Sequence, residues 1–267
     1  MTPAVDVSSA RIAVVGCGGL GVPAAWTLAL GRVRALRLID ADTVEIANLH
    51  RQIAYREADV GRAKVDALAE FLTARFPDLA VERRAVCFDA TNAAELLAEC
   101  TAVFEGSDDA ATKFTVNDAA VGLGLHATIA AAIGKRGQWF TRSPDGPCYR
   151  CLFEAPPPAE LLSTCAVAGV LGPAVGAIGA FAARSLLRGL RGEADPASAA
   201  LVRFGGRGLQ KTSVTHATDC QCMGVRTYLL PISAPDLPVP GAGRVESASA
   251  HGDENAPSGQ KRVKGTS

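Results

Sequence analysis

From Arg11 onward the chain alternates short apolar runs with segments of helical spacing. Strand-like runs cover residues 12–15, 36–39, 80–86, 102–105 and 126–130. Between them, apolar residues recur with a helical period over residues 20–30, 63–76, 93–99 and 110–123. Strands that alternate with helices predict crossover connections and a mostly parallel, doubly wound sheet covered on both faces. Asp108 or Asp109 would cap the helix over 110–123, and Gly124 would end it.

Past Gly134 the pattern changes. Residues 136–141 alternate like an exposed strand, and Ser143-Pro144-Asp145-Gly146-Pro147 reads as a turn. Ala155-Pro156-Pro157-Pro158 forms a stiff, extended bridge. A small-residue helix is expected over 172–189, then short strands near 201–204 and 213–216 that extend the sheet in antiparallel fashion. From residue 231 to 267 Pro, Gly and Ser dominate with almost nothing apolar to bury, so this tail is expected to be disordered. The organisation is therefore a short segment over 1–10, a single domain over 11–230 and the tail over 231–267.

The first strand runs directly into Gly16-Cys17-Gly18-Gly19-Leu20-Gly21, and a helical pattern follows at once. Glycines there allow a tight turn and let a phosphate approach the helix amides. The second strand ends at Asp40, where a carboxylate can hold ribose hydroxyls. Together these features specify an α/β, Rossmann-like fold with a nucleotide site.

Composition narrows the partners. In 267 residues, Lys plus Arg and Asp plus Glu each number 27, so no basic field argues for nucleic acid or a membrane surface. The most apolar stretch, residues 165–187, is Gly-rich, contains Pro173 and Arg184, and reads as a buried helix rather than a membrane span. Residues 1–10 lack the basic-then-apolar order of a secretion signal, so a cytoplasmic location is expected. In that compartment cysteines suggest metal binding or catalysis more than disulfides.

Several polar residues then acquire meaning from position. Between Asp40 and Lys64 lie Asp42, Asn48, Arg51 and Gln52, among other residues that read equally well as a solvated loop. Arg51 follows the strand bearing Asp40, and Lys64 opens the next helix. Both fall at the carboxyl ends of strands, where ligands bind in such sheets. Two cations there suit a triphosphate better than a diphosphate. Asp108 follows the fourth strand; beside a polyphosphate it would serve Mg²⁺, and the alternative is a helix cap. Cys148-Tyr149-Arg150-Cys151 and Cys220-Gln221-Cys222 supply four thiolates, enough for a tetrahedral zinc site, though one residue between the second pair is tight. Without metal they are ordinary thiols, and His216 is a possible substitute ligand. Cys165 reads as core or as a nucleophile, while Cys17, Cys87 and Cys100 read as small hydrophobes.

Taken in order, these stretches resemble the ThiF/MoeB/HesA family, bacterial adenylyltransferases for sulfur-carrier proteins within the ubiquitin-activating-enzyme superfamily. The likeness is carried by residues 14–21, 38–44, 48–52, 61–64, 106–109, 148–152 and 165–173, and order and spacing hold from about residue 11 to 224. It implies that Gly16, Gly18, Gly19, Gly21, Asp40, Asp42 and Asn48 bind ATP, with Arg51 and Lys64 on the phosphates and Asp108 on Mg²⁺. It implies that the C-terminal carboxylate of a small ubiquitin-like carrier ending in Gly-Gly attacks the α-phosphate, giving an acyl-adenylate. Cys165 matches the cysteine that some members use for a thioester or acyl-persulfide, and Cys148, Cys151, Cys220 and Cys222 match a zinc site. A homodimer is implied as well, in which an arginine before the first strand reaches the partner subunit's ATP. Here residues 1–10 contain no Arg or Lys. Asp109 and Lys113 stand where the family usually has asparagine and arginine. Two other functions compete: a dinucleotide-dependent oxidoreductase on the same glycine turn, and a non-catalytic carrier-binding relative.

Overall fold

The computed structural model describes residues 4–158, 169–193, 199–206 and 208–223. Cys165 and the tail over 231–267 lie outside the described residues. The parallel half of the sheet comprises β1 (Arg11–Val15), β2 (Ala35–Ile39), β3 (Ala80–Arg84), β4 (Ala102–Glu105) and β5 (His126–Ile133). An antiparallel extension follows: β6 (Arg136–Arg142), β7 (Ala199–Gly205) and β8 (Gly208–Val214). The strands lie in the order β3-β2-β1-β4-β5-β6-β7-β8. Connecting helices are α1 (Gly21–Leu30), α2 (Lys64–Thr73), α3 (Ala93–Leu96), α4 (Ala110–Gly122) and α5 (Gly172–Leu190).

The alternation of side chains along each strand explains the layers. Ile12 and Val14 of β1 join Leu28 of α1, Leu68 of α2 and Ile178 of α5 in one core. Ala13 and Val15 face the other way, onto Leu96 at the end of α3 and Val116 of α4. Strands buried on both faces need mostly apolar runs, which is why β1 and β2 read clearly. The exception inside β2, Arg37, is buried and satisfied by Glu82 and by the Leu96 and Ala98 carbonyls. A third core, with Phe140, Leu201 and Tyr149, lies under the antiparallel extension.

Register sets where the site falls. Val15 pairs with Ile39 on one side and Glu105 on the other, so β1, β2 and β4 end level. The chain winds outward from β1 to β3 and then returns to β4 beside β1. The loops leaving β1 and β4 therefore diverge at a topological switch point, where such sheets open a crevice.

Several expectations need correction. β6 is not an exposed strand: it pairs with both β5 and β7, and Trp139 and Phe140 are buried. The last strand begins at Gly208 rather than Ser213, because it pairs with β7 along its full length. β5 runs on to Ile133 because β6 folds back along it, whereas β3 stops at Arg84. The segment expected as a helix over 93–99 makes only one turn, Ala93–Leu96. Between the caps, Asp109 is the one used: its Oδ2 accepts from the Thr112 amide at 2.7 Å.

Candidate active site

A cavity of about 1670 Å³ opens at the switch point and is lined by Gly16, Gly18, Gly19, Asp40, Asp42, Asn48, Arg51, Lys64 and Asp108. Every residue expected at a nucleotide, except Gly21, faces this one space. Gly21 acts from behind: a Cβ on it would overlap the Gly16 carbonyl oxygen. Gly16 itself has φ +85°, and a Cβ there would lie 2.7 Å from the Ser107 amide nitrogen. Both positions therefore require glycine for the turn to close under α1.

The acids and bases around the turn differ sharply in their partners. Asp40 accepts from the Cys17 amide at 2.6 Å through Oδ2 and from the Asp42 amide at 2.8 Å through Oδ1. It ties the glycine turn to the end of β2, and each oxygen keeps a lone pair for a ligand hydroxyl. Burial raises its pKa above the usual carboxylate value despite those hydrogen bonds. Lys64 is buried at the start of α2 and pairs with Asp42, Nζ to Oδ2, at 2.6 Å. Asp42 is largely exposed and lines the same cavity as Lys64. Arg51 has no ion pair among the described residues; its nearest polar partner is His50 Nε2 at 3.4 Å. Asn48 donates to Glu45 at 3.0 Å. Asp108 is exposed to the cavity and makes no hydrogen bond or ion pair among the described residues.

Two arrangements escaped the sequence reading. Gln52 is only 3% exposed, lines the cavity next to Gly18, and its Oε1 has no hydrogen-bond partner among the described residues. A buried amide oxygen without a partner is costly, and the residue that carries it lines the cavity. Its signal in the sequence is only adjacency to Arg51. The second is the pair Glu105 and Lys113, both buried at the base of the Asp108 loop. Lys113 is tied there to Glu105 and to the Ser107 and Ala130 carbonyls, and it also lines the cavity.

The four cysteines come together between the end of β6 and the end of β8. Their sulfurs lie within 4.8 Å of one another. Sγ separations are 3.4 Å for Cys148–Cys220, 3.4 Å for Cys151–Cys222 and 4.0 Å for Cys148–Cys151. Thiolates at ~2.3 Å from a central zinc stand about 3.8 Å apart, so the quartet fits a tetrahedral ion. The short Cys220–Cys222 spacing is absorbed by the turn over Gln221–Met223. Burial and the Cys220 thiol push Cys148 up to about 11. His216 touches Cys222 from outside the quartet, Nδ1 to Sγ 3.5 Å, and is not needed as a ligand. Cys17 and Cys100 are buried as expected, but Cys87 is exposed and lines the cavity.

Residues 4–223, and with them both the crevice and the cysteine quartet, match the family model described as the ThiF family. The chain belongs to the ThiF family. It is 34% identical over 239 residues to the SAMP-activating enzyme E1 of Haloferax volcanii, covering 90% of this chain and 83% of that protein. It is 38% identical over 189 residues to an adenylyltransferase and sulfurtransferase, uba4, of Aspergillus terreus, covering 67% of this chain. The matched region there spans only 39% of the relative's length. Among solved structures, E. coli MccB in complex with MccA-N7isoASN superposes with a TM-score of 0.72 at 19% identity, over 82% of this chain and 68% of MccB. At that identity the likeness concerns the fold alone. Among the described residues no helix is long and apolar enough to cross a membrane.

Proposed function

We propose that this ThiF-family chain uses ATP to adenylate the C-terminal carboxylate of a small ubiquitin-like sulfur-carrier protein ending in Gly-Gly. The observation that carries this reading is the convergence, on one cavity at the glycine turn, of the Arg51 guanidinium, the buried Lys64 ammonium and the Asp108 carboxylate, of which Arg51 and Asp108 have no ion pair among the described residues. The adenylyl transfer in the name of the Aspergillus relative supports it, as does the activating role in the name of the Haloferax one.

In the reaction, a carboxylate oxygen of the carrier bonds to the α-phosphorus as the bond from that phosphorus to the β-phosphate bridge breaks. Acyl-adenylate and pyrophosphate result. The carboxylate is already the nucleophile, so no general base is required and the rate comes from positioning and charge neutralisation. Arg51 and Lys64 would take the phosphate oxygens, with Lys64 exchanging Asp42 for phosphate. Asp108 would hold Mg²⁺, which would neutralise further phosphate charge. Asp40 would hold the ribose, Asn48 would lie alongside it, and the Gln52 amide would find its missing partner on the nucleotide. The cysteine quartet would hold zinc as a structural tie between the strand ends. Cys165 would act after adenylation: its thiolate would attack the acyl carbon of the acyl-adenylate, releasing AMP and leaving the carrier as a thioester. A cytoplasmic homodimer is part of this reading.

The test is direct detection of the product. Incubated with ATP, Mg²⁺ and a Gly-Gly-ending carrier, the protein should yield carrier heavier by one adenylyl group in intact mass spectrometry. A carrier mass that stays unchanged in every such mixture would remove the reading.

A further inference from the structure

The cavity is larger than the roughly 300–1,000 Å³ of a typical small-ligand site, so a nucleotide does not account for all of it. Its remaining wall is the antiparallel extension. Ala131 pairs with Gln138, Gln138 with Arg203 and Arg203 with Gln210, a single row across β5, β6, β7 and β8. Ala131, Gln138, Arg203 and Gln210 all line the cavity, as does Arg136. Arg136 lies two residues from Gln138 and so on the same face of β6. A Cβ on Gly205 would stand 3.7 Å from its Cγ, which sets Arg136 diagonally beside Arg203.

Charge on this wall is one-sided. The chain as a whole is neutral, yet residues 134–142 and 199–214 contain no Asp or Glu. Among the described residues neither Arg136 nor Arg203 has an ion pair or a side-chain hydrogen bond. Two adjacent guanidiniums left unpaired, flanked by two glutamine amides on a flat strand surface, form a surface that favours carboxylates.

We propose that this row receives the C-terminal segment of the protein substrate and that Arg136 and Arg203 select an acidic residue within it. The inference rests on the adenylation reading, which puts the substrate's terminal carboxylate at the nucleotide. It also fixes a position. From the end of β4, beside the Asp108 loop, to β7 is three strand spacings, ~14 Å, which an extended chain covers in roughly four residues. The acid read by the arginines therefore stands about four to five residues before the terminal carboxylate. Specificity of this kind is a difference between partners and needs no gain in the chemical step.

Fluorescence anisotropy of labelled peptides ending in Gly-Gly, titrated with the full chain in the presence of ATP, tests it. A single Glu is moved along an otherwise neutral sequence, with Ser and Lys as controls at each position. Binding should be strongest, by about tenfold over Ser, with Glu about four to five residues from the end. In the double variant Arg136→Gln/Arg203→Gln that preference should vanish, and in Arg136→Glu/Arg203→Glu it should turn toward Lys. Both side chains are exposed, so these variants should fold, and ATP binding by calorimetry should stay within about twofold. Equal binding of Glu and Ser peptides, absence of peptide binding, or a Glu preference that survives the double variant would overturn the proposal. Failure of the adenylation reading would show separately, as wild-type protein that does not bind ATP in the calorimeter.

Discussion

Lys113 Nζ lies 2.7 Å from Glu105 Oε2, and both side chains are out of reach of solvent. The same ammonium donates to the Ser107 carbonyl at 2.7 Å and the Ala130 carbonyl at 2.9 Å. Glu105 in turn accepts from the Ser107 amide at 2.8 Å and from its hydroxyl. The loop from Gly106 to Asp109 is thus pinned on both sides of Ser107, and Asp108 is left to face the cavity. Burial raises the Glu105 pKa, and Lys113 opposes that rise. Lys113→Met would strand a buried carboxyl group at a cost of about 3–5 kcal/mol. Urea unfolding should show that loss, with much of it recovered in Lys113→Met/Glu105→Gln. A single-variant cost below about 1 kcal/mol would mean that the pair does not hold the loop.

Gln52 gives the opposite signature. Its Oε1 is buried without a partner among the described residues, so Gln52→Leu should leave free-protein stability equal or slightly higher. The same change should weaken ATP binding by about tenfold, since a hydrogen bond of about 1.5 kcal/mol is lost on the ligand side. Thermal shift with and without ATP reads both effects at once. A variant destabilised in the free state, with an unchanged ATP response, would make Gln52 structural.

The cysteine quartet predicts metal content. Purified protein should contain about one zinc per chain, and chelation should lower its melting temperature. Cys220→Ser and Cys148→Ser should each lose the metal. Metal-free wild-type protein with unchanged melting under chelation would dismiss the site.

His126 predicts a pH dependence. It is 4% exposed with neither ring nitrogen hydrogen-bonded among the described residues, and burial followed by the Arg142 charge lowers its pKa to about 4. Between about pH 6.5 and 4 the unfolded chain binds a proton that the folded chain refuses, so stability falls as pH falls through that window. From pH 7 to 5 the contribution is about 2 kcal/mol. His126→Leu should remove that share of the slope in urea unfolding; an unchanged slope would show that His126 is not the source.

Much of this was legible in the sequence, for physical reasons. Strands β1 and β2 announce themselves because burial on both faces demands mostly apolar residues, with Arg37 the one charge inside β2, and Gly16 and Asp40 follow because strand ends gather at one edge. The position of Arg51, Lys64 and Asp108 at the cavity was readable by the same rule. β6 was misread because its pairing with β7 joins segments some sixty residues apart, beyond any local period. Gln52, Glu105 and Lys113 were opaque for a related reason: their meaning lies in burial and in partners set by the tertiary fold. Cys87, taken for a small hydrophobe, faces the cavity because β3 stops at Arg84.

The central claim is that the cations and the acid at the switch point activate a carboxylate with ATP, and ATP–pyrophosphate exchange measures that step alone. With a Gly-Gly-ending carrier, wild-type protein should exchange label, and Arg51→Ala, Lys64→Ala and Asp108→Ala should each lower the rate by ~10²-fold or more. Near-full exchange by Asp108→Ala, or exchange that does not depend on the carrier, would contradict the account.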